Sequence, residues 1–311
     1  MSPVLASLRV EAAGIEFQNP VLLASGTAGY GRELADVMDL DALGGLVTKA
    51  VSVEPRAGAP APRVAEFGGG MINAVGLANP GLDAGRREHL PWLAAHMGRA
   101  RVLVNVIGST IEDFVAVTTA LDAEPGVSAF ELNVSCPNVR CGGTEFGADR
   151  TVLADLVGRV RRATQRPLFV KLSPMLPDIA ATARVAVDAG ADGITVVNTL
   201  PGLLIDVERR RPVLGYGSGG VSGPAILPVG VLATWKVTRA VPVPVVGVGG
   251  IATAEDIVQY MLAGATLVGV GTAAMQDPRL PGRLVHALGA WCAEHGVQSL
   301  ADVVGRLEWP S

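Results

Sequence analysis

Three cysteines in 311 residues exclude a secreted disulfide framework, because they cannot all pair and are too sparse for a chain of this length. They equally exclude a four-cysteine iron–sulfur cluster held by this chain alone. Histidine is as scarce, with only His89, His96, His286 and His295. All four fall in helical patterns and none at a strand end, so a zinc site, a cysteine–histidine pair and a serine–histidine–aspartate triad are not expected. A surplus of positive charge is missing too. The formal net charge is −4, whereas a general nucleic-acid binder needs a basic face to neutralise phosphates. Met1–Val10 has neither the basic start nor the long apolar core of a secretory signal. One uncharged run, Pro212–Trp235, is long enough to cross a bilayer, but its six glycines and three prolines would not sustain a spanning helix. No metal, nucleic acid or membrane is therefore expected, and a reducing, cytoplasmic location is.

What the chain does have is apolar substance, at 49% of residues, and many sharp connections from 39 glycines and 21 prolines. Short β-rich runs alternate with longer helical patterns, which indicates a parallel sheet. Eight runs qualify: Val21–Ser25, Gly45–Lys49, Val102–Val106, Phe130–Ser135, Leu168–Leu172, Ile194–Asn198, Val243–Val248 and Leu267–Val270. Helices are predicted over Arg32–Leu40, Ile111–Leu121, Thr151–Ala163, Ile179–Ala189, Pro224–Arg239, Ala254–Leu262 and Leu280–His295. Ala189-Gly190-Ala191 and Ala263-Gly264-Ala265 introduce two strands in the same way, as helix end, tight turn and buried strand. The expected fold is an α/β (β/α)8 TIM barrel. Leu8–Phe17, with Gly14 near its middle, should form a short N-terminal hairpin closing the barrel bottom. Leu203–Leu214 should be a loop excursion after strand six, its Arg209-Arg210-Arg211 tip solvated. No linker or composition shift marks a second domain, so residues 1–311 read as one domain.

Barrel active sites form at the C-terminal strand ends. Here those ends carry Ser25, Lys49, Asn105, Asn133, Lys171, Asn198, Gly249-Gly250 and Gly271-Thr272. A strand end is often polar merely because a turn begins there, but this set holds three asparagines and two of only three lysines. The glycine turns after strands seven and eight let backbone N–H groups approach a phosphate, with a helix N-terminus beyond. Gly215-Tyr216-Gly217-Ser218-Gly219-Gly220 superficially resembles a dinucleotide motif, yet it follows no long buried strand and no acidic residue lies about 20 positions on. Cys136 lies just past strand four, held extended by Pro137 and flanked by Asn133 and Asn138. A thiol there suits a nucleophile or general base, against the alternative of a small buried hydrophobe. Cys141, between Arg140 and Gly142-Gly143, has no comparable setting.

These residues together resemble the class 1 dihydroorotate dehydrogenases. The resemblance runs almost end to end. It is carried by Leu23-Ala24-Ser25-Gly26-Thr27, Val47-Thr48-Lys49-Ala50, Gly70-Met71-Ile72-Asn73-Ala74-Val75-Gly76-Leu77, Asn79-Pro80-Gly81 and Asn133-Val134-Ser135-Cys136-Pro137-Asn138. Val170-Lys171-Leu172-Ser173-Pro174, Val197-Asn198-Thr199, Ser222-Gly223-Pro224-Ala225 and the two glycine turns complete it. The resemblance implies one non-covalent FMN per chain, bound by Ser25, Lys49, Ala50, Asn105, Asn133, Lys171, Val197, Gly223, Gly249, Gly250, Gly271 and Thr272. It implies a substrate site of Lys49, Asn73, Ala74, Val75, Gly76, Leu77, Asn133, Asn138, Asn198 and Thr199 for dihydroorotate and its product orotate. Cys136 would take the C5 proton while hydride passes from C6 to flavin N5, the cofactor carrying the redox chemistry. Cysteine rather than serine there, and no N-terminal membrane-binding extension, resemble class 1.

Asn138-Val139-Arg140-Cys141-Gly142-Gly143-Thr144-Glu145-Phe146-Gly147 is similar to the NAD-linked 1B type. That similarity implies a homodimer core joined to a partner subunit carrying FAD and an iron–sulfur cluster, a heterotetramer in all. The competing readings are a fumarate-dependent 1A enzyme, a related flavin barrel acting on dihydropyrimidines or tRNA uridines, and a silent phosphate-ligand-binding barrel.

Overall fold

The computed structural model describes residues 7–135, 140–141 and 144–310. Eight parallel strands close on themselves: β1 (Val21–Leu23), β2 (Gly45–Val47), β3 (Arg101–Val106), β4 (Val127–Asn133), β5 (Leu168–Leu172), β6 (Gly193–Val196), β7 (Val245–Val248) and β8 (Leu267–Val270). Each pairs with the next, and β8 returns to β1 through Val268↔Val21, Gly269↔Leu22 and Val270↔Leu23. Helices cover the outside between strands, so the expected (β/α)8 barrel is the observed one. The runs differ from the expected strands by a few residues at each end, where the ladder gives way to turns.

Helix boundaries follow local chemistry. Ile111–Leu121 and Ala254–Leu262 each begin with a reciprocal capping box, Thr110 with Asp113 and Thr253 with Asp256. Arg150–Ala163 and Ile179–Asp188 are capped by the carboxylates of Asp149 and Asp178. The two look-alike helix ends share one geometry. Gly190 (φ +110°) and Gly264 (φ +105°) take the left-handed conformation. The amides of Ala191 and Ala265 then return to Ala186 and Tyr260 at 3.0 and 2.9 Å, those of Gly190 and Gly264 to Val187 and Met261. One expected helix is absent: Arg32–Leu40 forms successive turns, with only Leu40–Ala42 in a short 3-10 turn. Glycines at 29 and 31 with positive φ precede it, and so short a segment cannot repay helix nucleation.

The barrel interior is built by period-two alternation. Leu22, Val47, Leu103, Ala129, Phe169, Val246 and Leu267 point inward and form one apolar core with Ala12 and Phe17. Those last two come from the N-terminal hairpin, Val10–Ala12 paired with Ile15–Phe17. Its turn residues Ala13 and Gly14 have φ of +52° and +74°, the primed-turn geometry that suits a two-residue hairpin. The hairpin thus plugs the N-terminal end of the barrel as expected.

At the opposite end lies an element that was not anticipated. Val64–Phe67, Gly70–Asn73, Gly219–Ser222 and Leu200–Gly202 form a four-stranded antiparallel sheet built from the β2–β3 and β6–β7 connections. It is tied to the barrel where the Thr272 hydroxyl donates to Ser222 at 2.8 Å. The excursion after β6 is present, with Ile205–Asp206 paired to Arg211–Pro212 and Arg209–Arg211 exposed.

Candidate active site

The alternation that puts Leu103, Ala129 and Phe169 in the apolar core puts Asn105, Glu131 and Lys171 on the same interior face, two residues nearer the C-terminal mouth. Asn105 and Glu131 are in register, as are Asn133 and Lys171. All four are buried, Asn105 at 0% exposure and Glu131 at 1%. Asn105 donates its Nδ2 to Glu131 Oε1 at 2.7 Å, and Lys171 Nζ lies 3.9 Å from the same oxygen. Glu131 was not anticipated as a site residue. Its signal was legible: a carboxylate inside an apolar run, two positions before Asn133, must share that residue's face.

At the mouth a chain of polar contacts joins β4 to β6. Asn198 donates Nδ2 to the Ser135 hydroxyl at 2.9 Å and approaches Asn133 Oδ1 at 3.5 Å. Ser135 donates to Asn133 Oδ1 at 3.3 Å, and the Thr199 amide donates to Asn198 Oδ1 at 2.8 Å. Gly220 is packed so closely on Thr199 that a Cβ would meet its hydroxyl at 2.0 Å, and Asn73 donates to the Gly220 carbonyl at 3.2 Å. The structure therefore brings Asn73, Asn133, Asn198 and Thr199 together. The Ala74–Leu77 segment is held by backbone bonds, Ala74 to Arg63 at 2.8 Å and Ala59 to Val75 at 3.0 Å. Lys49 is fixed through its backbone N–H to Gly29 at 2.7 Å. Ser25 donates to the Thr48 carbonyl at 3.0 Å, and the Ala50 carbonyl accepts from the buried Tyr30 hydroxyl at 3.1 Å. Cys136 and Asn138 lie outside the described residues, as does the side chain of Cys141.

The glycine turns occupy the far side of the barrel. Gly249 and Gly250 have φ of +130° and +78°. Tyr260, fully buried, donates its hydroxyl to the Gly249 carbonyl at 2.7 Å. Burial, then the charge of Asp256, pushes its pKa well above that of an ordinary phenol, so it stays a donor. The expected contribution of the following helix needs a correction. The N-terminus of Ala254–Leu262 is occupied by its own side chains, Asp256 accepting from Ala252 and Thr253 at 2.9 Å each. After β8 no side chain caps the turn of helix Thr272–Gln276. Gly223 (φ +95°) stands beside it, where a Cβ would lie 3.4 Å from the Thr272 methyl and 2.9 Å from Gly70. Gly223, Gly249–Gly250 and Gly271–Thr272 are thus presented as backbone.

Comparison with known proteins decides the family. The family model described as dihydroorotate dehydrogenase matches residues 7–291. The chain belongs to the dihydroorotate dehydrogenase family. It is 46% identical over 300 residues to a protein of Geotalea uraniireducens named dihydroorotate dehydrogenase B (NAD(+)), catalytic subunit, covering 96% of this chain and 98% of that one. Proteins of the same name from Pelobacter propionicus and Geobacillus kaustophilus are 46% and 45% identical, over 97% and 96% of this chain and 98% and 95% of theirs.

A dihydroorotate dehydrogenase is a flavin enzyme, and the described residues fit a flavin that carries a phosphate. Asn105 Oδ1 and Thr195 Oγ1 are buried without a hydrogen-bond partner among the described residues. Thr195 is in register with Lys171. Buried polar atoms of this kind are normally satisfied, and a heterocycle with ring amide groups supplies partners. Gly249 and Gly250, side-chain-free at positive φ, and the uncapped turn at Gly271 would admit a phosphate to their N–H groups. Among the described residues no cluster of three or more His, Cys, Asp or Glu side chains could hold a metal ion, and no helix is long and apolar enough to cross a membrane.

Proposed function

We propose that this chain is the FMN-carrying catalytic subunit of a class 1B dihydroorotate dehydrogenase, oxidising dihydroorotate to orotate in de novo pyrimidine synthesis. The observation that supports this reading best is the polar run Asn133–Ser135–Asn198–Thr199 beside buried Lys171, in a chain whose relatives are named dihydroorotate dehydrogenase B (NAD(+)), catalytic subunit. A dihydropyrimidine presents fixed N–H and C=O groups around a small ring, and a site that meets each of them rejects analogues lacking one.

In this reading Asn73, Asn133, Asn138, Asn198 and Thr199, with residues 74–77, hold the substrate ring, and Lys49 answers its carboxylate. Ser25, Lys49, Ala50, Asn105, Asn133, Lys171, Val197, Gly223, Gly249, Gly250, Gly271 and Thr272 hold one FMN. When bound, FMN supplies the acceptor for the hydride leaving C6. Cys136, the chain neighbour of Ser135, takes the C5 proton as a thiolate general base, so the C5–C6 bond becomes double as both hydrogens depart. Lys171 sets a positive charge where the reduced ring becomes negative. Residues 1–311 act as one FMN-binding domain in the cytoplasm. Electrons pass to NAD through a partner subunit with FAD and an iron–sulfur cluster, on a homodimeric core.

The test is anaerobic. Purified chain reconstituted with FMN should bleach in the visible flavin bands when dihydroorotate is added without NAD; a fully loaded protein that does not bleach sinks the substrate assignment. Cys136→Ala is expected to keep FMN and slow bleaching at least about 100-fold, while Cys141→Ala stays active. Equal losses in both would contradict the role of Cys136. Reduction by wild type should quicken as pH rises toward the ordinary thiol pKa of about 8.5. Reoxidation of the isolated chain by fumarate, with nothing gained from the partner and NAD, would place it in the 1A class instead.

A further inference from the structure

Among the described residues, Glu131 and Lys171 are the only charged side chains that are buried. Burying a carboxylate is costly and seldom stabilises a fold by itself, so its place in the barrel interior calls for another reason. Two contacts supply one. An ionised carboxylate can only accept hydrogen bonds, so its 2.7 Å contact with Asn105 must be made by the amide NH2. That fixes which way round the amide stands and leaves Asn105 Oδ1 buried and without a partner among the described residues. The second contact, 3.9 Å from Lys171 Nζ to the same oxygen, is long for a hydrogen bond but short for a charge pair in a buried setting.

We propose that Glu131 is a positioning residue for the flavin: through Asn105 it presents a fixed acceptor to the ring, and through Lys171 it offsets part of the positive charge that the reduced ring will meet. The inference rests on the flavin reading above. Its two halves are separable because they travel through different neighbours. The charge half lowers the flavin potential relative to an unopposed lysine. The orientation half affects how tightly the flavin is held.

Sulfite affinity reports positive charge near an oxidised flavin ring, and dye-coupled reduction reports the potential directly. In Glu131→Gln, which keeps size and removes charge, sulfite should bind about ten-fold tighter and the potential should move positive. Lys171→Gln should shift both in the opposite direction, weakening sulfite binding and lowering the potential. Glu131→Asp retains the charge but shortens the reach to Asn105. It should bind FMN several-fold more weakly in an apoprotein titration, with sulfite affinity near wild type. It also serves if the glutamine variant does not fold. Sulfite affinity and potential unchanged in Glu131→Gln, or FMN affinity unchanged in Glu131→Asp, would overturn the proposal. A wild-type chain that takes up no FMN would instead overturn the reading beneath it.

Discussion

At the residue scale, the clearest device outside the polar layer is Tyr260. Its ring and hydroxyl fill space that a Cβ at Gly247 or Gly230 would claim, at 2.2 Å from the ring and 1.9 Å from the hydroxyl. Its hydroxyl draws the Gly249 carbonyl toward itself. Because the peptide group is planar and trans, the Gly250 N–H then points the opposite way. Tyr260→Phe keeps the ring, removes the donor and leaves a buried carbonyl unmet, which should lower stability by about 1–2 kcal/mol. FMN affinity measured on the apoprotein should fall several-fold, while reduction of the loaded fraction by dihydroorotate stays within about two-fold of wild type. Unchanged FMN affinity would reduce Tyr260 to packing. Neither Tyr260 nor Glu131 was found in the sequence, for different reasons. Tyr260 sits on an amphipathic helix like any core aromatic, and its partner becomes visible only when strand and helix are docked. Glu131 is not the last residue of its strand, where barrel chemistry is expected, yet period-two alternation from Ala129 turns it inward.

At the scale of elements, the sequence was read well wherever one segment contains its own instructions. Thr110–Asp113 and Thr253–Asp256 start helices, and Gly190 and Gly264 stop them. The four-stranded sheet over the mouth escaped because its strands have at most four residues and pair across the chain, Asn73 with Gly220 and Leu200 with Val221. No local period announces such strands. The Thr253–Asp256 box also revises the expected phosphate site, since it takes the Asp256 N–H of the helix after β7 and places a carboxylate there. Thr253→Ala should therefore cost about 1 kcal/mol of stability in urea unfolding and leave FMN affinity within about two-fold of wild type. A large loss of FMN with little loss of stability would mean that this helix end, and not the glycine backbone, anchors the phosphate.

Across the whole molecule, the barrel's two ends are built for opposite tasks. The C-terminal end gathers polar groups around a chamber, and the N-terminal end is sealed by Phe17 and stitched by polar bonds that serve only the fold. Asp41 is the centre of that stitching. Its carboxylate accepts from the Arg99 and Ala100 amides at 2.7 and 2.8 Å and from Arg99 Nε at 3.2 Å. Gln18 meanwhile donates to the carbonyls of Asp41 and Leu43, at 2.6 Å each. Partial burial pushes the Asp41 pKa up, but the hydrogen bonds from Ala100 and Arg99 outweigh it and hold the group below its usual value. A depressed carboxylate contributes stability that is complete above the unfolded pKa of about 3.9 and is lost as pH falls through the folded value. His89, stacked on Tyr30 at 4.1 Å, has its pKa lowered first of all by burial. Its contribution is likewise lost on acidification, but it begins to fade nearer the ordinary histidine value of about 6.5. Comparing wild type with Asp41→Asn at each pH cancels the histidine. The urea midpoint of the variant should lie below wild type at pH 7, and the gap should narrow only below about pH 4. A gap that stays constant to pH 3 would mean that Asp41 works through shape alone. A gap that closes near pH 6 would mean that its surroundings raise the Asp41 carboxylate rather than hold it down.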